Sequence, residues 1–519
     1  MNVEDRFCRT CYKENEAIDK HFYINQIKIR ELTLDSTTPN FILPENSGLG
    51  LRDQICEMIS SAINSQALSP NKRLPSCREL ASQLDVSRNT VFSAYNRLID
   101  LGLIVARKRS GYYVNPIAQA AIPGTYSLKT SREQSLKPSP VEFESLGLTP
   151  VDNPLDWTSY PYPFIYNQID PDLFPVESWR ECTRLALKNT NMSSWRDDSV
   201  ESDSLQLSQQ LRQRLLSSRG IYANEDEILI TLGSQNALFL IGAAFAHKNK
   251  PVAIEDPGYH YGRNAFQLTG NQLIGVPVDD QGIIVSSIPG KCQLVFTTPG
   301  HQFPTMVTMT QARREQLLAA AASEDFLIIE DDYEAEMNFF NARAHSLRSQ
   351  DKSDRVIYIG SLSKTVSPGI RLGFMVAHRD IIRQARIVRG VMMRHAPTIV
   401  QEVVALFFQL GYYDAHLRNL ERRYKRRWQT MNDAITKHLH MLERTPTRGG
   451  TSFWLTGPEG FDASELGARL RDRGVLIDIG ETYYLNKNKR SFRLGFAFVA
   501  INKLEEGIQI IAEEVQRLL

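Results

Sequence analysis

The chain has 519 residues, of which 42% are hydrophobic and 23% are charged, a composition that predicts a globular protein of two or three domains. The formal net charge is only +1, which excludes a chain-wide basic surface and leaves room only for a local one. No apolar run reaches the length of a membrane span, and the first residues lack the hydrophobic stretch of a signal peptide. We therefore expect a cytoplasmic protein with no membrane partner.

Residues 1–45 are polar and irregular, and we predict an N-terminal extension to which no function is assigned. Cys8 and Cys11 form a single Cys-x-x-Cys motif in this extension. Since no second cysteine pair follows, two free thiols are favoured over a zinc site, and no metal site is predicted. Six cysteines in a chain of this length also do not make a disulfide framework.

Residues 46–115 are predicted to form a small domain of three helices followed by a β-hairpin. Apolar residues recur at helical spacing in this segment, and Ser76 and Glu79 have the spacing of a capping box. The predicted helices begin at Leu51, Ser76 and Ser87 and end near Ala62, Leu84 and Leu101.

The second and third predicted helices are joined by a tight turn, and the third presents polar side chains near its N-terminus. This is the arrangement of a helix-turn-helix unit that enters a major groove. Two short apolar runs, 103–106 and 112–114, then flank a basic turn and predict a wing with a cationic tip. Residues 51–115 hold nine lysine and arginine residues against five acidic ones, which favours phosphate contact. A small helical dimerisation domain is the alternative interpretation.

Three stretches of this domain resemble the GntR winged-helix DNA-binding domain: Arg73–Ala81 (RLPSCRELA), Val86–Val91 (VSRNTV) and Ala94–Leu98 (AYNRL). The resemblance implies that the domain binds operator DNA and that the wing around Gly111 enters the minor groove. The other DNA contacts that it implies are Arg78, Ser87, Arg88 and Thr90. Residues 116–155 carry scattered Pro, Gly, Ser and Lys without periodicity, and they predict an interdomain linker.

Residues 156–519 alternate between apolar strand candidates and helical patterns. This alternation predicts an α/β domain with a mainly parallel sheet, whose ligands collect outside the carboxyl ends of the strands. The predicted strands are Ile228–Leu232, Val252–Ile254, Leu294–Phe296, Phe326–Ile329, Val356–Ile359 and Phe374–Ala377.

Lys364 lies just after one of these strands, in a stretch that is rich in serine and threonine and ends at Arg371. Hydroxyl groups and a guanidinium suit an anion, and a lysine beside a phosphate site suits a Schiff base with pyridoxal 5′-phosphate (PLP). A surface lysine on a serine-rich turn is the alternative interpretation of this stretch taken alone.

Three further strand ends carry residues that PLP requires. Gly233 and Ser234 open a helix whose backbone N–H groups suit a phosphate, and Tyr259 places an aromatic ring on a turn. The acids Glu330–Asp332 emerge from a buried strand, which is costly unless they meet a cation such as a protonated pyridinium nitrogen. Together with Lys364, these ends supply a phosphate cradle, a stacking ring, an acid and an amine.

Residues 156–519 resemble a fold-type I, aspartate aminotransferase-like PLP domain. A GntR winged helix followed by such a domain resembles the MocR/GabR family of transcriptional regulators. The resemblance implies that Lys364 forms the internal aldimine, that Asp331 pairs with the pyridine nitrogen, that Tyr333 lies near the phenolic oxygen and that Tyr259 stacks on the ring. The residues that it implies for the phosphate are Ser234, Gln235, Ser361, Ser363 and Arg371. Arg493 is implied to bind the acid group of an effector.

The hypothesis from the sequence is a PLP-dependent regulator that senses an amine or amino acid by forming an external aldimine at Lys364. The resemblance also implies a homodimer. Two alternatives stay open: a catalytically active aminotransferase with an accessory DNA-binding domain, and a GntR-type regulator that binds its ligand without PLP. The basic run Arg422–Arg427 is interpreted as the solvated face of a helix, with a secondary DNA contact as the alternative. Met306 stands where the family has a glycine.

Overall fold

The computed structural model divides the chain into two compact units, residues 1–143 and 144–519. Its described residues are 41, 50–65, 67–107, 110–116, 147–149, 154–165, 170–188, 193–245, 250–340, 345–447, 449–486 and 488–519. Cys8, Cys11, the wing-tip residues Lys108 and Arg109, and nearly all of the predicted linker lie outside them. The predicted boundaries at 45, 115 and 155 therefore stay predictions.

The first unit contains the three predicted helices and the predicted wing. Its elements are α1 (Leu51–Asn64), α2 (Cys77–Gln83), α3 (Arg88–Asp100), β1 (Ile104–Arg107) and β2 (Gly111–Val114). The inward face predicted for α3 is confirmed, because Val91, Ala94, Tyr95 and Leu98 are buried in one apolar cluster. The Tyr95 hydroxyl donates to the Pro75 carbonyl at 2.9 Å, which joins α3 to the start of α2.

The second unit is built around an eight-stranded sheet with the order β4-β11-β10-β9-β8-β5-β6-β7. These strands are β4 (Ile228–Thr231), β5 (Val252–Asp256), β6 (Leu273–Asp279), β7 (Gly282–Ile283), β8 (Leu294–Thr297), β9 (Leu327–Asp332), β10 (Val356–Ser361) and β11 (Gly373–Val376). Six of these eight strands run in the same direction, and only β7 and β11 run in the opposite one. The predicted mainly parallel sheet is therefore confirmed. The sequence reasoning missed β6 and β7.

One strand is longer than predicted at the edge that matters for function. Strand β9 was expected to end at Ile329, before the three acids, but its ladder with β10 continues to the pair Asp332 and Gly360. The acids therefore belong to the strand itself, and side chains alternate between its two faces. Asp331 consequently points away from Glu330 and Asp332.

A second, five-stranded sheet with the order β12-β13-β15-β14-β3 completes the unit. Its strands are β3 (Tyr162–Phe164), β12 (Glu443–Arg444), β13 (Ser452–Thr456), β14 (Val475–Ile479) and β15 (Ser491–Gly495). The longer α-helices of the unit are α4 (Val176–Ala186), α5 (Leu205–Gln210), α6 (Ser234–Ala244), α7 (His260–Leu268), α8 (Gln311–Glu324), α9 (Arg379–Met393), α10 (Thr398–Gln409), α11 (Tyr412–His438), α12 (Ala463–Asp472) and α13 (Leu504–Leu518). Each sheet packs against its own clusters of buried apolar side chains. Because such cores are tightly packed, they hold the residues at the sheet edges in fixed positions.

The basic run Arg422–Arg427 lies within the 27-residue helix α11. Arg422, Arg423 and Arg426 are exposed, whereas Tyr424 and Arg427 are buried. The interpretation of a mostly solvated helix face is therefore confirmed for the three exposed arginines, and Arg427 is a structural exception. Its guanidinium donates to the Ala497 carbonyl and pairs with Asp170.

Candidate functional site: a cavity at the carboxyl edge of the sheet

The carboxyl ends of β4, β5, β8, β9 and β10 meet at one edge of the large sheet, where they surround a cavity of about 390 Å³. This is the position where open α/β sheets bind ligands. The cavity is lined by Ser234, Gln235, Tyr259, Tyr261, Thr298, Phe303, Asp331, Tyr333, Ser361, Ser363, Lys364 and Arg371. The edge thus brings together all nine side chains that the sequence assigned to the cofactor.

Lys364 lies three residues after β10 and is buried, with 6% of its surface exposed. Burial lowers the pKa of its amine from 10.5 to about 7, because an ammonium loses its hydration there. The carboxylate of Glu334 opposes this effect and Arg493 adds to it. A substantial fraction of the amine is therefore neutral at physiological pH, which is the nucleophilic form.

Asp331 is 2% exposed, and the Ser234 hydroxyl donates to its Oδ1 at 3.0 Å. Burial raises the pKa of this carboxyl from 3.8 to about 7; the hydrogen bond from Ser234 works against that shift, and the nearby acids Asp332 and Glu255 add to it. A carboxylate held in this way is stabilised by any cation that enters the cavity. The Asp331 carboxylate therefore suits a positively charged ring nitrogen.

The cavity also offers donors for an anion. Helix α6 begins at Ser234, after Gly233 at a φ of 97°, and the first N–H groups of a helix have no acceptor within it. Arg371 donates from Nη2 to the Leu232 carbonyl at 2.8 Å, which holds its guanidinium beside this helix start. Ser361 accepts from the Ser363 backbone N–H at 3.2 Å, and both hydroxyls line the same cavity.

Aromatic rings form one wall of the cavity. Tyr259 donates from its hydroxyl to Gln235 Oε1 at 3.2 Å, and its ring centroid lies 5.1 Å from that of Phe303. The Gln235 amide nitrogen in turn donates to the Tyr261 carbonyl at 3.0 Å. Gln235 therefore fixes the orientation of the Tyr259 ring, a role that the sequence did not indicate.

Arg493 lies on β15 and is fully buried, so its charge faces protein rather than solvent. The guanidinium carbon is 4.3 Å from the centroid of the Phe303 ring, a cation–π contact, and Nη2 is 3.5 Å from the Met306 sulfur. Asp478 faces Arg493 as its cross-strand partner on β14. Phe303 lines the cavity, so Arg493 lies directly behind a residue of the cavity wall.

Three lining residues were not singled out from the sequence. Thr298 and Phe303 follow β8, whose end was not among the strand ends singled out from the sequence. Tyr261 carries no sequence signal of its own. It reaches the cavity because α7 begins at His260, directly after Tyr259.

In the first unit, the residues assigned to DNA lie at the start of α2, at the start of α3 and at the wing. The Ser87 hydroxyl caps α3 by accepting from the Thr90 N–H at 3.1 Å, and the two hydroxyls lie 2.8 Å apart. Arg78 and Arg88 are exposed. Gly111 has a φ of 107°, a conformation that favours glycine, so the hairpin requires it at this position.

Comparison with known proteins assigns both units. Residues 51–114 match the bacterial regulatory proteins of the gntR family, and residues 169–511 match the aminotransferases of class I and II. The chain is 36% identical over 482 residues to the HTH-type transcriptional regulator TauR of Rhodobacter capsulatus, covering 92% of this chain and 98% of that protein. The protein belongs to the MocR/GabR family of transcriptional regulators.

Two further comparisons agree with this assignment, one with a regulator and one with a solved aminotransferase. The "Probable rhizopine catabolism regulatory protein MocR" of Rhizobium meliloti is 26% identical, over 90% of this chain and 94% of its own. A solved kynurenine aminotransferase of Pyrococcus horikoshii, in complex with PMP, is 30% identical with a TM-score of 0.65, over 70% of this chain and 92% of its own. GntR-type regulators bind operator DNA, and the class I and II aminotransferase fold is PLP-dependent. None of the helices within the described ranges is long and apolar enough to cross a membrane.

The residues of this MocR/GabR regulator fit the cofactor of its fold. PLP combines a phosphate, a protonatable ring nitrogen and an aldehyde. The cavity offers the helix start and Arg371 for the first, Asp331 for the second and Lys364 for the third. Asp331 makes the strongest case, because a buried carboxyl with a pKa near 7 gains stability from a cationic partner.

Proposed function

We propose that this regulator senses a small amine or amino acid through amine exchange at Lys364 and transmits the exchange to its DNA-binding domain. The observation that carries the proposal is the buried Lys364 amine, which shares one cavity with Asp331 and the start of helix α6. When bound, PLP supplies an aldehyde carbon that condenses reversibly with primary amines. Lys364 is the resident amine, and the effector is the incoming one.

Each side chain of the cavity has a role in this scheme. With PLP bound, Asp331 would hold the ring nitrogen, Tyr333 would lie toward the phenolic oxygen and Tyr259 would stack on the ring. Ser234, Gln235, Ser361, Ser363 and Arg371 would hold the phosphate. The low pKa of Lys364 supports the exchange, because its neutral amine can both leave and return without a large cost of ionisation.

The effector is proposed to carry an acid group that binds Arg493. A buried guanidinium at the cavity border supports this role, since desolvated arginine pairs strongly with carboxylates and sulfonates. Binding of both ends of the effector would shift the five-stranded sheet, which carries Arg493, relative to the large sheet, which carries Lys364. Such a domain closure is the proposed signal.

The DNA-binding half of the proposal rests on the first unit. Arg78, Ser87, Arg88, Thr90 and the wing at Gly111 are proposed to contact operator DNA. A homodimer would present two such units to two half-sites of an operator.

The deciding experiment compares the visible spectrum and the DNA affinity of wild type, Lys364→Ala and the control Lys352→Ala, an exposed lysine. We expect wild type and the control to be yellow, to respond spectrally to amines and to yield a reduced cofactor adduct on the Lys364 peptide after borohydride treatment. Lys364→Ala is expected to lose the reduced cofactor adduct on that peptide and to keep its DNA binding. A wild type that yields no adduct on the Lys364 peptide, or yields it on another lysine instead, would overturn the proposal.

An active aminotransferase with an accessory DNA-binding domain is the second candidate. The solved relatives of the second unit favour it, since they are aminotransferases and include the enzyme of Pyrococcus horikoshii at 30% identity. The distinguishing measurement is steady turnover of an amino donor with a keto acid. Sustained turnover would establish the enzyme, whereas a spectral change without product would favour the sensor.

A further inference from the structure

Met306 has an unusual backbone conformation for its type. Eight non-glycine residues within the described part of the chain have a positive φ, and seven of them are polar and exposed. Met306 is the exception: it is apolar, 1% exposed and has a φ of 65°. This region of φ favours glycine, so a buried methionine there is an outlier that points to a function of its side chain.

The turn that holds Met306 is rigidly fixed by Gln302. The Met306 N–H donates to the Gln302 carbonyl at 2.7 Å, and the Gln302 N–H donates to the Val307 carbonyl at 2.8 Å. The Gln302 side chain also accepts from the Thr305 N–H at 3.0 Å. The backbone around residue 306 is therefore set by its neighbours, which fixes the direction of the Met306 Cα–Cβ bond.

That direction leads to the acid-binding arginine. The Met306 sulfur lies 3.5 Å from Arg493 Nη2 and 3.8 Å from the Tyr333 hydroxyl oxygen. The Phe303 ring, which comes from the same turn, covers the guanidinium at 4.3 Å. A methyl group built on Gly450 would lie 2.1 Å from the Met306 Cε, so the thioether fills the space between Arg493 and Gly450.

From this packing we infer that Met306 is a specificity-determining residue, which restricts the acid end of the effector to a compact group without branches beside it. The inference rests on the proposed function, because it assigns the acid group of the effector to Arg493. The thioether occupies volume at one edge of the guanidinium, and a substituent on the carbon next to the acid would collide with it. A linear amino acid with a bare methylene beside the acid group meets no such obstacle.

The test uses two amino acids that differ only beside the acid group, 3-aminopropanoate and 3-amino-2,2-dimethylpropanoate. Their affinities are measured by spectral titration of the holo-protein in wild type, Met306→Gly and Met306→Leu. Glycine suits the backbone conformation and opens the space, whereas leucine keeps the volume and removes the sulfur. We expect wild type and the leucine variant to prefer the compact ligand about tenfold or more, and the glycine variant to lose most of that preference.

An equal preference in all three proteins would overturn the inference. A loss of preference in the leucine variant as well would also overturn it, because that outcome assigns the effect to the sulfur rather than to volume. Melting temperatures of the three cofactor-free proteins show whether each variant is folded.

A separate measurement distinguishes failure of the proposed function. Calorimetry of the cofactor-free proteins with propanoate and 2,2-dimethylpropanoate, which lack an amine, reports on the acid site alone. If no amine changes the spectrum of wild type, the proposed exchange at Lys364 fails, and the calorimetric preference still decides the role of Met306. If the spectrum responds to amines and Met306→Gly leaves both preferences unchanged, only the inference about Met306 fails.

Discussion

The buried carboxylate of Glu334 accepts two hydrogen bonds from Thr451, one from its backbone N–H at 3.0 Å and one from its hydroxyl. Glu334 is the next residue after Tyr333, which lines the cavity, and Thr451 precedes the first residue of β13. Strand β13 in turn pairs Trp454 with Arg493. The contact therefore joins the sheet whose edge holds Lys364 to the sheet that carries Arg493, and the Glu334 charge also raises the pKa of Lys364.

Replacing Glu334 by glutamine should lower the pKa of the Lys364 amine further below about 7. The reason is that Glu334 is the largest of the charges that raise this pKa, so its removal leaves burial less opposed. The rate at which the cofactor-free protein binds PLP, followed by visible absorbance against pH, should show a midpoint at lower pH than in wild type.

Thr451→Val is the matched control, because it removes one hydrogen bond to the same carboxylate and keeps the charge. It should leave the midpoint near that of wild type and lower the stability by about 1–3 kcal/mol, the typical cost of an unmet bond to a buried carboxylate. Equal midpoints in Glu334→Gln and wild type would contradict the assigned influence of Glu334.

Gly373→Ala should both destabilise the protein and weaken PLP binding. A methyl group on Gly373 would lie 2.7 Å from the Gly233 Cα and 2.8 Å from the Gly360 carbonyl oxygen, which are backbone atoms that cannot turn aside. We expect a loss of about 2–3 kcal/mol in unfolding free energy, typical of an overpacked core, and a displaced helix start at Ser234. Denaturant unfolding and a cofactor titration measure the two effects.

Gly369→Ala provides the comparison from the same stretch of chain. Its nearest neighbour would be the Ser367 hydroxyl at 3.8 Å, an ordinary contact, so stability and cofactor affinity should stay close to wild type. A destabilisation as large as that of Gly373→Ala would show that this stretch rejects any added methyl group for another reason.

Asp331→Asn should make the cofactor-free protein more stable above neutral pH while weakening its hold on PLP. The pKa of Asp331 is raised from 3.8 to about 7 in the folded protein, so between these pH values the folded state binds more protons than the unfolded one. Stability therefore falls as pH rises from about 4 to about 7, and the loss is complete above that range. Asparagine cannot ionise, so it removes this loss. The free energy of unfolding of the variant should exceed that of wild type by up to about 4 kcal/mol at pH 8 and by nothing at pH 4.

Ser234→Ala should act in the opposite direction. Its hydroxyl donates to Asp331 and lowers the pKa of that carboxyl, so its loss raises the pKa further and reduces stability at pH 8. Thermal unfolding of the cofactor-free proteins at the two pH values checks both variants. A parallel change in Asp331→Asn and Ser234→Ala would contradict the assigned ionisation.

The sequence identified the elements and the chemistry of the site because both depend on local signals. Capping residues such as Ser76 and Ser87 fix helix starts within a few residues, and the apolar runs of a buried sheet are evident from composition. Lys364 stood out as a lysine among hydroxyl residues just after an apolar strand, and the acids Glu330–Asp332 stood out because buried charges are costly without a partner. The resemblance to a fold-type I PLP domain then singled out Asp331. Because β9 and β10 run parallel, their carboxyl ends lie at the same edge of the sheet, and Asp331 and Lys364 therefore line one cavity.

Other features were not predictable because they arise from contacts between distant segments. The extension of β9 to Asp332 depends on its ladder with β10, and the pair of Glu334 and Thr451 spans 117 residues of sequence. The position of Met306 against Arg493 likewise depends on how two sheets pack, which no local periodicity reports. The departure at residue 306 was visible in the sequence, but its consequence was visible only in three dimensions.

Arg88→Ala should weaken DNA binding without weakening the fold. Arg88 is exposed at the first position of α3, where the positive end of the helix dipole disfavours a cation, so alanine should leave the stability unchanged or raise it slightly. Fluorescence anisotropy with a DNA fragment that the full-length wild type selects from fragmented genomic DNA should show an affinity loss of about tenfold. If Arg88 contacts a phosphate, the slope of log affinity against log salt should also fall by about one.

Arg97→Ala tests the same change at the other end of α3. Arg97 forms only an exposed ion pair with Asp53 at 3.7 Å among the described contacts, and such pairs contribute little to stability. Its replacement should leave DNA affinity within about twofold of wild type, because the last turn of a recognition helix lies away from the base edges. Equal losses in Arg88→Ala and Arg97→Ala would mean that general charge, rather than the start of α3, determines DNA binding.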